Sequence, residues 1–216
     1  TVYGVIDSPV VNWVGLDNGA DAYGSIIADF SQSITAPNAA IERCGQGELF
    51  AVTVWKEGSE SMLSILSGDE AQVAWQVSLG PTNDIRSTPI VHDIDSDGKP
   101  EVLIVYDTSS TLQVDLWSPE LTCTESGWQK TGHSNEKLWS YSDSDYRIGI
   151  SSPHPPTSQS NHFAVTQPLL ADLQLDGSPE LVLAVVDDNS NDPTVLSFAL
   201  TTSVPSEPEW EISLDR

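Results

Sequence analysis

The sequence predicts an all-β chain built from about three four-stranded repeats. Its apolar segments are short, rich in Val, Ile, Leu and aromatic residues, and bounded by Gly, Pro, Asn, Asp or Ser, which is typical of strands. No helical period of useful length competes with this pattern. An acidic turn and a Trp marker each recur along the chain, and such recurrence indicates a repeat architecture.

The acidic turn lies between two apolar segments. In 88–105 a strand runs into Asp93-Ile-Asp-Ser-Asp-Gly98, and Glu101 opens the next strand. The segment 167–185 repeats this order. The equivalent pairs are Asp93 and Asp172, Asp97 and Asp176, Gly98 and Gly177, Pro100 and Pro179, and Glu101 and Glu180, whereas Gln174 replaces Asp95. Alternating carboxylates that end in Asp-Gly can fold round a hard cation, because each side chain aims one oxygen inward and Gly tolerates the bend.

The Trp marker recurs out of phase with the acidic turn. Trp75-Gln-Val-Ser-Leu79 matches Trp210-Glu-Ile-Ser-Leu214, and weaker copies begin at Trp139 and Trp13. We interpret Trp13, Trp75, Trp139 and Trp210 as packing residues between repeats, with a sugar-stacking platform as the alternative.

Between successive Trp markers the same four strands are expected in the same order. Each repeat has a strand that ends in Asp, a turn, an acid-led apolar strand, a third strand and the Trp strand. The first repeat, about 22–79, has its predicted strands at 25–30, 48–55, 61–66 and 73–75. The second, about 86–143, has them at 88–93, 101–106, 111–117 and 137–141. The third, about 165–215, has them at 167–172, 180–186, 194–200 and 209–214, and residues 1–16 are predicted to end a preceding repeat.

Four strands with a Trp marker and a Gly-rich turn are the pattern of propeller blades, which stack because one blade cannot bury both faces alone. The motifs resemble the calcium-loop blades of integrin-α-like FG-GAP propellers and related quinoprotein-like repeats. The string Asp-x-Asp-x-Asp-Gly-x-Pro-Glu at 93–101 carries the resemblance, and 172–180 matches it with one substitution. The first repeat keeps only Asp29 and Gly47-Glu48, with an insertion at 31–43.

The resemblance covers nearly the whole chain, but only as three units. Propellers of this kind close with about four to eight blades. The expected architecture is therefore an arc, either a piece of a longer protein or a subunit that completes itself within a larger assembly.

The resemblance also implies two Ca²⁺ sites, one in each acidic loop. The implied ligands of the first are the side chains of Asp93, Asp95 and Asp97, the Lys99 carbonyl and the Glu101 carboxylate. Those of the second are Asp172, Gln174, Asp176, the Ser178 carbonyl and Glu180. Ligand sets of oxygen alone favour Ca²⁺ over transition metals. Because Gln174 carries no charge, we expect the second site to bind more weakly, and we expect both ions to rigidify turns rather than to act in catalysis.

The two cysteines, Cys44 and Cys123, form one candidate disulfide. In propeller topology the loop after a blade's first strand and the loop after its third strand emerge on the same face. Cys44 lies in the former loop of the first repeat and Cys123 in the latter loop of the second, so neighbouring blades could bring them together. Two buried or free thiols are the alternative.

Composition excludes some functions. With 8 basic and 32 acidic residues, the net charge of −24 excludes nucleic-acid binding through a basic surface. It indicates a self-repelling, solvated surface and favours a saline or extracellular medium, where salt screens that repulsion. No apolar run is long enough to predict a membrane span. The N-terminus lacks a signal-peptide pattern, which fits a mature or trimmed chain as well as an intracellular one.

These observations predict a calcium-stabilised scaffold at the cell surface or outside the cell, acting in adhesion, in protein or glycan interaction, or in structural assembly. No catalytic constellation is visible, because the four histidines do not cluster and no nucleophile motif occurs. One alternative is part of a quinoprotein-like dehydrogenase or a polysaccharide lyase. Another is a self-assembling surface filament in which copies of the chain pair through exposed strand edges.

Overall fold

The computed structural model describes residues 21–36, 49–57, 59–68, 72–81, 87–108, 111–129, 136–148, 168–190, 192–201, 203, 205 and 207–214. These residues form sheets that are antiparallel apart from one parallel pair of strands, and one 3₁₀ turn, which confirms the all-β class. Within these ranges none of the sheets closes on itself. Trp13 and the segment 1–16, predicted to end a preceding repeat, lie outside the described residues.

The first sheet contains the first predicted repeat. The chain runs through β1 (Asp21–Asp29), the 3₁₀ turn Ser31–Ser33, β2 (Ile34–Thr35), β3 (Leu49–Glu57), β4 (Glu60–Ser67) and β5 (Val73–Pro81). Strands β1, β3, β4 and β5 pair antiparallel in that order. Alternation along β4 sends Leu63 and Ile65 to one face, because successive side chains of a strand point to opposite sides.

The second sheet carries an extra hairpin. Its segment comprises β6 (Ile90–His92), β7 (Glu101–Asp107), β8 (Leu112–Trp117), β9 (Leu121–Thr124), β10 (Gly127–Trp128) and β11 (Lys137–Asp143). Strands β6, β7, β8 and β11 pair antiparallel in that order. The β9–β10 hairpin leaves this sheet between its third and fourth strands.

The third sheet has the same order of four strands and one short addition. It comprises β12 (Tyr146–Arg147), β13 (Leu169–Ala171), β14 (Glu180–Asp187), β15 (Pro193–Ala199) and β16 (Trp210–Ser213). Strands β13 to β16 pair antiparallel in chain order, and β12 also pairs with β14.

The second sheet packs between the other two. Along β7, Val102, Ile104 and Tyr106 join the hydrophobic cluster shared with the first sheet. The intervening Leu103 and Val105 join a second cluster, shared with the third sheet. Strand β7 therefore has no solvent side, which explains why it is apolar at nearly every position.

A clamp joins the first two sheets outside their main core. Strand β2, in the insertion after β1, pairs parallel with β9, so that Ile34 lies opposite Leu121. The Trp128 ring meets Phe50 edge to face, with centroids 5.7 Å apart. Cys123 is buried in this clamp and is disulfide-bonded. Cys44, the other cysteine of the chain, lies outside the described residues, so its pairing with Cys123 stays a prediction.

Candidate metal centres

The two acidic loops share one backbone conformation. The loop 93–100 joins β6 to β7, and the loop 172–179 joins β13 to β14. Gly98 and Gly177 have φ of 88° and 91°. Two residues before each glycine, Ser96 and Leu175 also have positive φ, 61° and 58°. A left-handed conformation costs about 1–2 kcal/mol in an L-residue with a side chain. Its presence at both equivalent positions means that the loop as a whole imposes it.

Matching hydrogen bonds hold this conformation. The carboxylate of Asp93 accepts the amide protons of Asp97 (3.1 Å) and Gly98 (3.0 Å). Asp172 accepts those of Asp176 and Gly177, each at 3.0 Å. Within each loop the second acceptor is also conserved in position: Asp97 accepts the Lys99 amide at 2.7 Å, and Asp176 accepts the Ser178 amide at 2.8 Å.

A buried glutamate closes each loop. Glu101 and Glu180 are the first residues of β7 and β14, and they are only 1% and 2% exposed. Each carboxylate accepts an amide proton from the far side of its loop, from Ile94 at 2.8 Å and from Leu173 at 2.6 Å. The strand thus delivers a carboxylate to the base of the loop, where water cannot solvate it.

The loops bring three carboxylates together in each case. Oxygens of Asp93, Asp95 and Glu101 lie within 4.8 Å of one another, and so do oxygens of Asp172, Asp176 and Glu180. Each triad could hold a metal ion. The triads are not composed alike, because Asp97 is absent from the first whereas its equivalent Asp176 belongs to the second.

The remaining predicted ligands lie in the same loops. Lys99 and Ser178 follow the glycines, and their amides donate to the neighbouring aspartates. Gln174 turns its amide group toward β16 and donates to Glu209 at 3.0 Å. Its counterpart Asp95 instead accepts the Asp97 amide at 3.2 Å. The substitution therefore changes which contacts the side chain makes as well as its charge.

The electrostatics of the first loop favour a bound cation. Burial raises the pKa of Glu101 to about 7, although the hydrogen bond from Ile94 opposes the rise. The charges of Asp95, Asp97 and Asp93 add to the same increase in pKa. A divalent ion would oppose this rise in pKa, since an opposite charge nearby favours the ionised form.

Tryptophans of the marker series connect neighbouring sheets. The indole of Trp75, in β5, donates to Glu136 of the second sheet's segment at 2.6 Å. That of Trp139, in β11, donates to the Thr201 carbonyl at 2.9 Å, beyond the end of β15 in the third sheet. Both tryptophans are buried, whereas Trp210 is partly exposed.

Sequence inspection missed a buried polar network in the second sheet. Asp115, in β8, is fully buried and pairs with Lys137 at 2.8 Å. It also accepts hydrogen bonds from Tyr106, Gln113 and Ser140. The available signal was an acid in the middle of the apolar strand Leu112–Trp117, since a buried charge requires partners.

Searches of family models, curated proteins and solved structures return no match to this chain. Among the residues described above, no helix is long and apolar enough to cross a membrane.

Proposed function

We propose that the chain is a calcium-stabilised repeat scaffold, with one Ca²⁺ held in each acidic loop. The observation that carries the proposal is the agreement between the two loops. They have the same positive φ positions, the same amide-to-carboxylate hydrogen bonds and the same buried closing glutamate.

The geometry of the triads suits Ca²⁺. Calcium oxygens lie at about 2.3–2.6 Å, so two ligands of one ion are at most about 5.2 Å apart. The carboxylate oxygens of each triad fall inside that limit. No His or Cys is among the triad residues, and a set of oxygen ligands alone favours Ca²⁺ or Mg²⁺ over zinc or copper. The loop's own carbonyls and water would complete the six to eight ligands that Ca²⁺ takes.

The ion would act on the scaffold rather than on a substrate. In each triad three carboxylates meet at the junction between a sheet's first and second strands, where their mutual repulsion opposes folding. A bound divalent cation turns that repulsion into attraction and so contributes its binding free energy to folding.

We infer further that the three sheets are propeller-type blades of an extracellular or cell-surface protein that offers its loops to a protein or glycan partner. The support is their common strand order and the stacking of the second sheet between its neighbours. The disulfide at Cys123 supports an oxidising compartment, because cytosolic thiols usually stay reduced.

A thermal melt tests the calcium role directly. We expect the melting temperature to be higher in millimolar Ca²⁺ than in EGTA, and higher than in equimolar Mg²⁺. At a free ion concentration 100 times the Kd, one site contributes about 2.7 kcal/mol to the free energy of unfolding. The variant Asp93→Asn/Asp172→Asn should lose most of this response. A melting temperature that is the same in Ca²⁺ and in EGTA would refute the proposal.

A further inference from the structure

Equivalent rows of side chains cross the three sheets and end in the marker tryptophans. In the first sheet the row is Ile26, Val52, Ile65 and Trp75. In the second it is Ile90, Leu103, Leu116 and Trp139. In the third it is Leu169, Val182, Ser197 and Trp210. A neighbouring row repeats likewise, and in the third sheet it is Ala184, Val195 and Ile212.

In the first and second sheets, this face is covered by the sheet that follows in the chain. The first sheet's row packs against the second sheet, and the second sheet's row packs against the third. The third sheet's row, which we call the trailing face together with Val195 and Ile212, meets no further sheet in the described part of the chain, although its central Ser197 is buried. Leu169 is 62% exposed and Ile212 is 52% exposed, although their equivalents in the first two sheets are partly or fully buried.

The first sheet presents the complementary half of the same interface. In the second and third sheets the covering residues are Val102, Ile104 and Tyr106, and Leu181, Leu183 and Val185. Their equivalents by strand register are Ala51, Thr53 and Trp55, beside which lie Ile27, Leu49, Met62 and Leu66. We call these seven residues the leading face. Ile27 and Leu49 are 69% and 55% exposed, and the others are partly exposed.

The residues that define the two faces carry no charge. None of them is Asp, Glu, Lys or Arg, although the chain carries 32 acids and 8 bases and Asp29 lies opposite Leu49 at the border of the leading face. The cores of protein interfaces are depleted of charge in the same way. Four of the exposed large hydrophobic side chains in the described ranges belong to these two faces: Ile27, Leu49, Leu169 and Ile212.

We propose that the trailing face binds the leading face of a second copy of this chain. The contact would continue, between chains, the sheet-on-sheet packing that each chain makes twice within itself. Such an interface is heterologous, so repeated contacts form a ring if the rotation closes and a filament if it does not. This inference rests on the proposed scaffold function and deepens it, because it names the scaffold's partner.

Analytical ultracentrifugation of the purified chain over a concentration series tests the proposal. The buffer contains physiological NaCl to screen the charge of −24, and millimolar Ca²⁺. We expect the mass to rise with concentration from 23.3 kDa to multiples of that value. A mass of one chain at every concentration would overturn the proposal.

Two matched variants locate the faces. Ile212→Glu places a charge on the trailing face and Ile27→Glu places one on the leading face, and both side chains are more than half exposed in the single chain. Each variant alone should stay monomeric. Ser213→Glu, one residue away on the opposite face of β16, adds the same charge and should assemble as the unmodified chain does.

Mixing the two variants gives the sharpest test. Ile212→Glu retains an intact leading face and Ile27→Glu retains an intact trailing face, so an equimolar mixture should form dimers and nothing larger. A mixture that stays monomeric would contradict the proposal even if each variant is folded by circular dichroism. The chain could also be a monomer whose Trp210 fluorescence is not quenched by acrylamide. Another segment of the same chain would then cover the trailing face, and this result would also overturn the proposal.

The two proposals fail separately. A chain that Ca²⁺ stabilises but that stays monomeric would overturn the self-association and leave the calcium role standing. A chain that assembles equally well in EGTA, and whose melting temperature is the same with and without Ca²⁺, would overturn the calcium role and leave the self-association standing.

Discussion

At the scale of single residues, Asp95 and Gln174 occupy equivalent positions in loops that otherwise match in backbone and hydrogen bonding. Asp95 belongs to the first carboxylate triad, whereas the Gln174 amide donates to Glu209. Among the side chains predicted as ligands, this is the position at which the two candidate centres differ in charge. Because ligand charge tunes calcium affinity, the difference should be measurable.

Exchanging these two residues should exchange the affinities of the loops. We expect Asp95→Gln to weaken Ca²⁺ binding by the first loop about tenfold and Gln174→Asp to strengthen binding by the second by a similar factor, since each changes one ligand charge. Isothermal titration with Ca²⁺ resolves the two sites. In EGTA, Gln174→Asp should also be less stable, because its carboxylate would face Glu209. Affinities that do not change in either variant would contradict the assignment of these positions as ligands.

Tyr106 should report on the buried network at alkaline pH. Burial, and then the neighbouring charge and hydrogen bond of Asp115, raise the pKa of its hydroxyl far above the usual 10. Since the folded-state pKa exceeds that of the unfolded chain, this group's contribution to stability is complete below pH about 10 and decreases as the pH rises above it. Absorbance at 295 nm should therefore show Tyr106 ionising only as the chain unfolds.

The variant Tyr106→Phe isolates that hydroxyl. It removes one donor from the fully buried Asp115, and a hydrogen bond to a charged group contributes about 1.5–3 kcal/mol. Urea unfolding at neutral pH should show a loss in this range. As the pH is raised into the alkaline range, the urea midpoint of the variant should fall less than that of the unmodified chain. A normal titration of Tyr106 in the folded chain would contradict the burial argument.

At the scale of elements, the parallel β2–β9 pair is a contact between the two loops in which the cysteines lie, and its strand pairing was not predicted. Two strands from separate insertions pair in parallel, and Phe30, Phe50 and Leu121 share one hydrophobic cluster beside them. The disulfide at Cys123 lies on one of these strands. The two insertions therefore form an inter-sheet contact rather than free surface loops.

Reduction of the disulfide should loosen this clamp. We expect a reductant such as TCEP to lower the free energy of unfolding by about 2–4 kcal/mol, because a cross-link restricts the unfolded chain. Urea melts with and without TCEP give the value. If Cys44 is the partner of Cys123, Cys44→Ala and Cys123→Ala should be equally destabilised and insensitive to TCEP. A large effect of TCEP on either variant would exclude that pairing.

At the scale of the whole molecule, the second sheet belongs to both hydrophobic clusters. Neighbouring residues of β7 serve different cores, with Ile104 facing the first sheet and Leu103 facing the third. No described sheet can lose its packing without exposing part of the second. The three sheets should accordingly unfold together.

Paired truncations in β7 test this coupling. Leu103→Ala and Ile104→Ala should each cost about 2–5 kcal/mol, the usual range for a buried aliphatic side chain. Both should unfold in one transition when followed by tryptophan fluorescence and by circular dichroism. Val182→Ala, at the third-sheet position equivalent to Leu103, should cost less in the single chain because Val182 is only partly buried. Separate transitions would show that the sheets are independent units.

Much of the fold could be predicted because its signals are local. Turn residues at fixed offsets and alternating apolar positions place the second and third strands of each repeat within a few residues of where they lie, whereas the fourth strand of the first repeat, predicted at 73–75, runs from Val73 to Pro81. The two acidic loops could likewise be predicted, since a left-handed turn at Gly98 or Gly177 depends on neighbours in the chain. By contrast, nothing local distinguishes Asp97, outside the first triad, from Asp176, inside the second.

The sequence by itself determined the all-β class, the repeated four-strand order and the position of the two carboxylate loops, because each arises from residues close together in the chain. Only the tertiary structure decided which faces are covered, that Trp75 meets Glu136 and Trp139 meets Thr201, and that β2 pairs with β9. Those contacts join residues far apart in sequence. Their energies depend on how whole sheets stack, which no local pattern encodes.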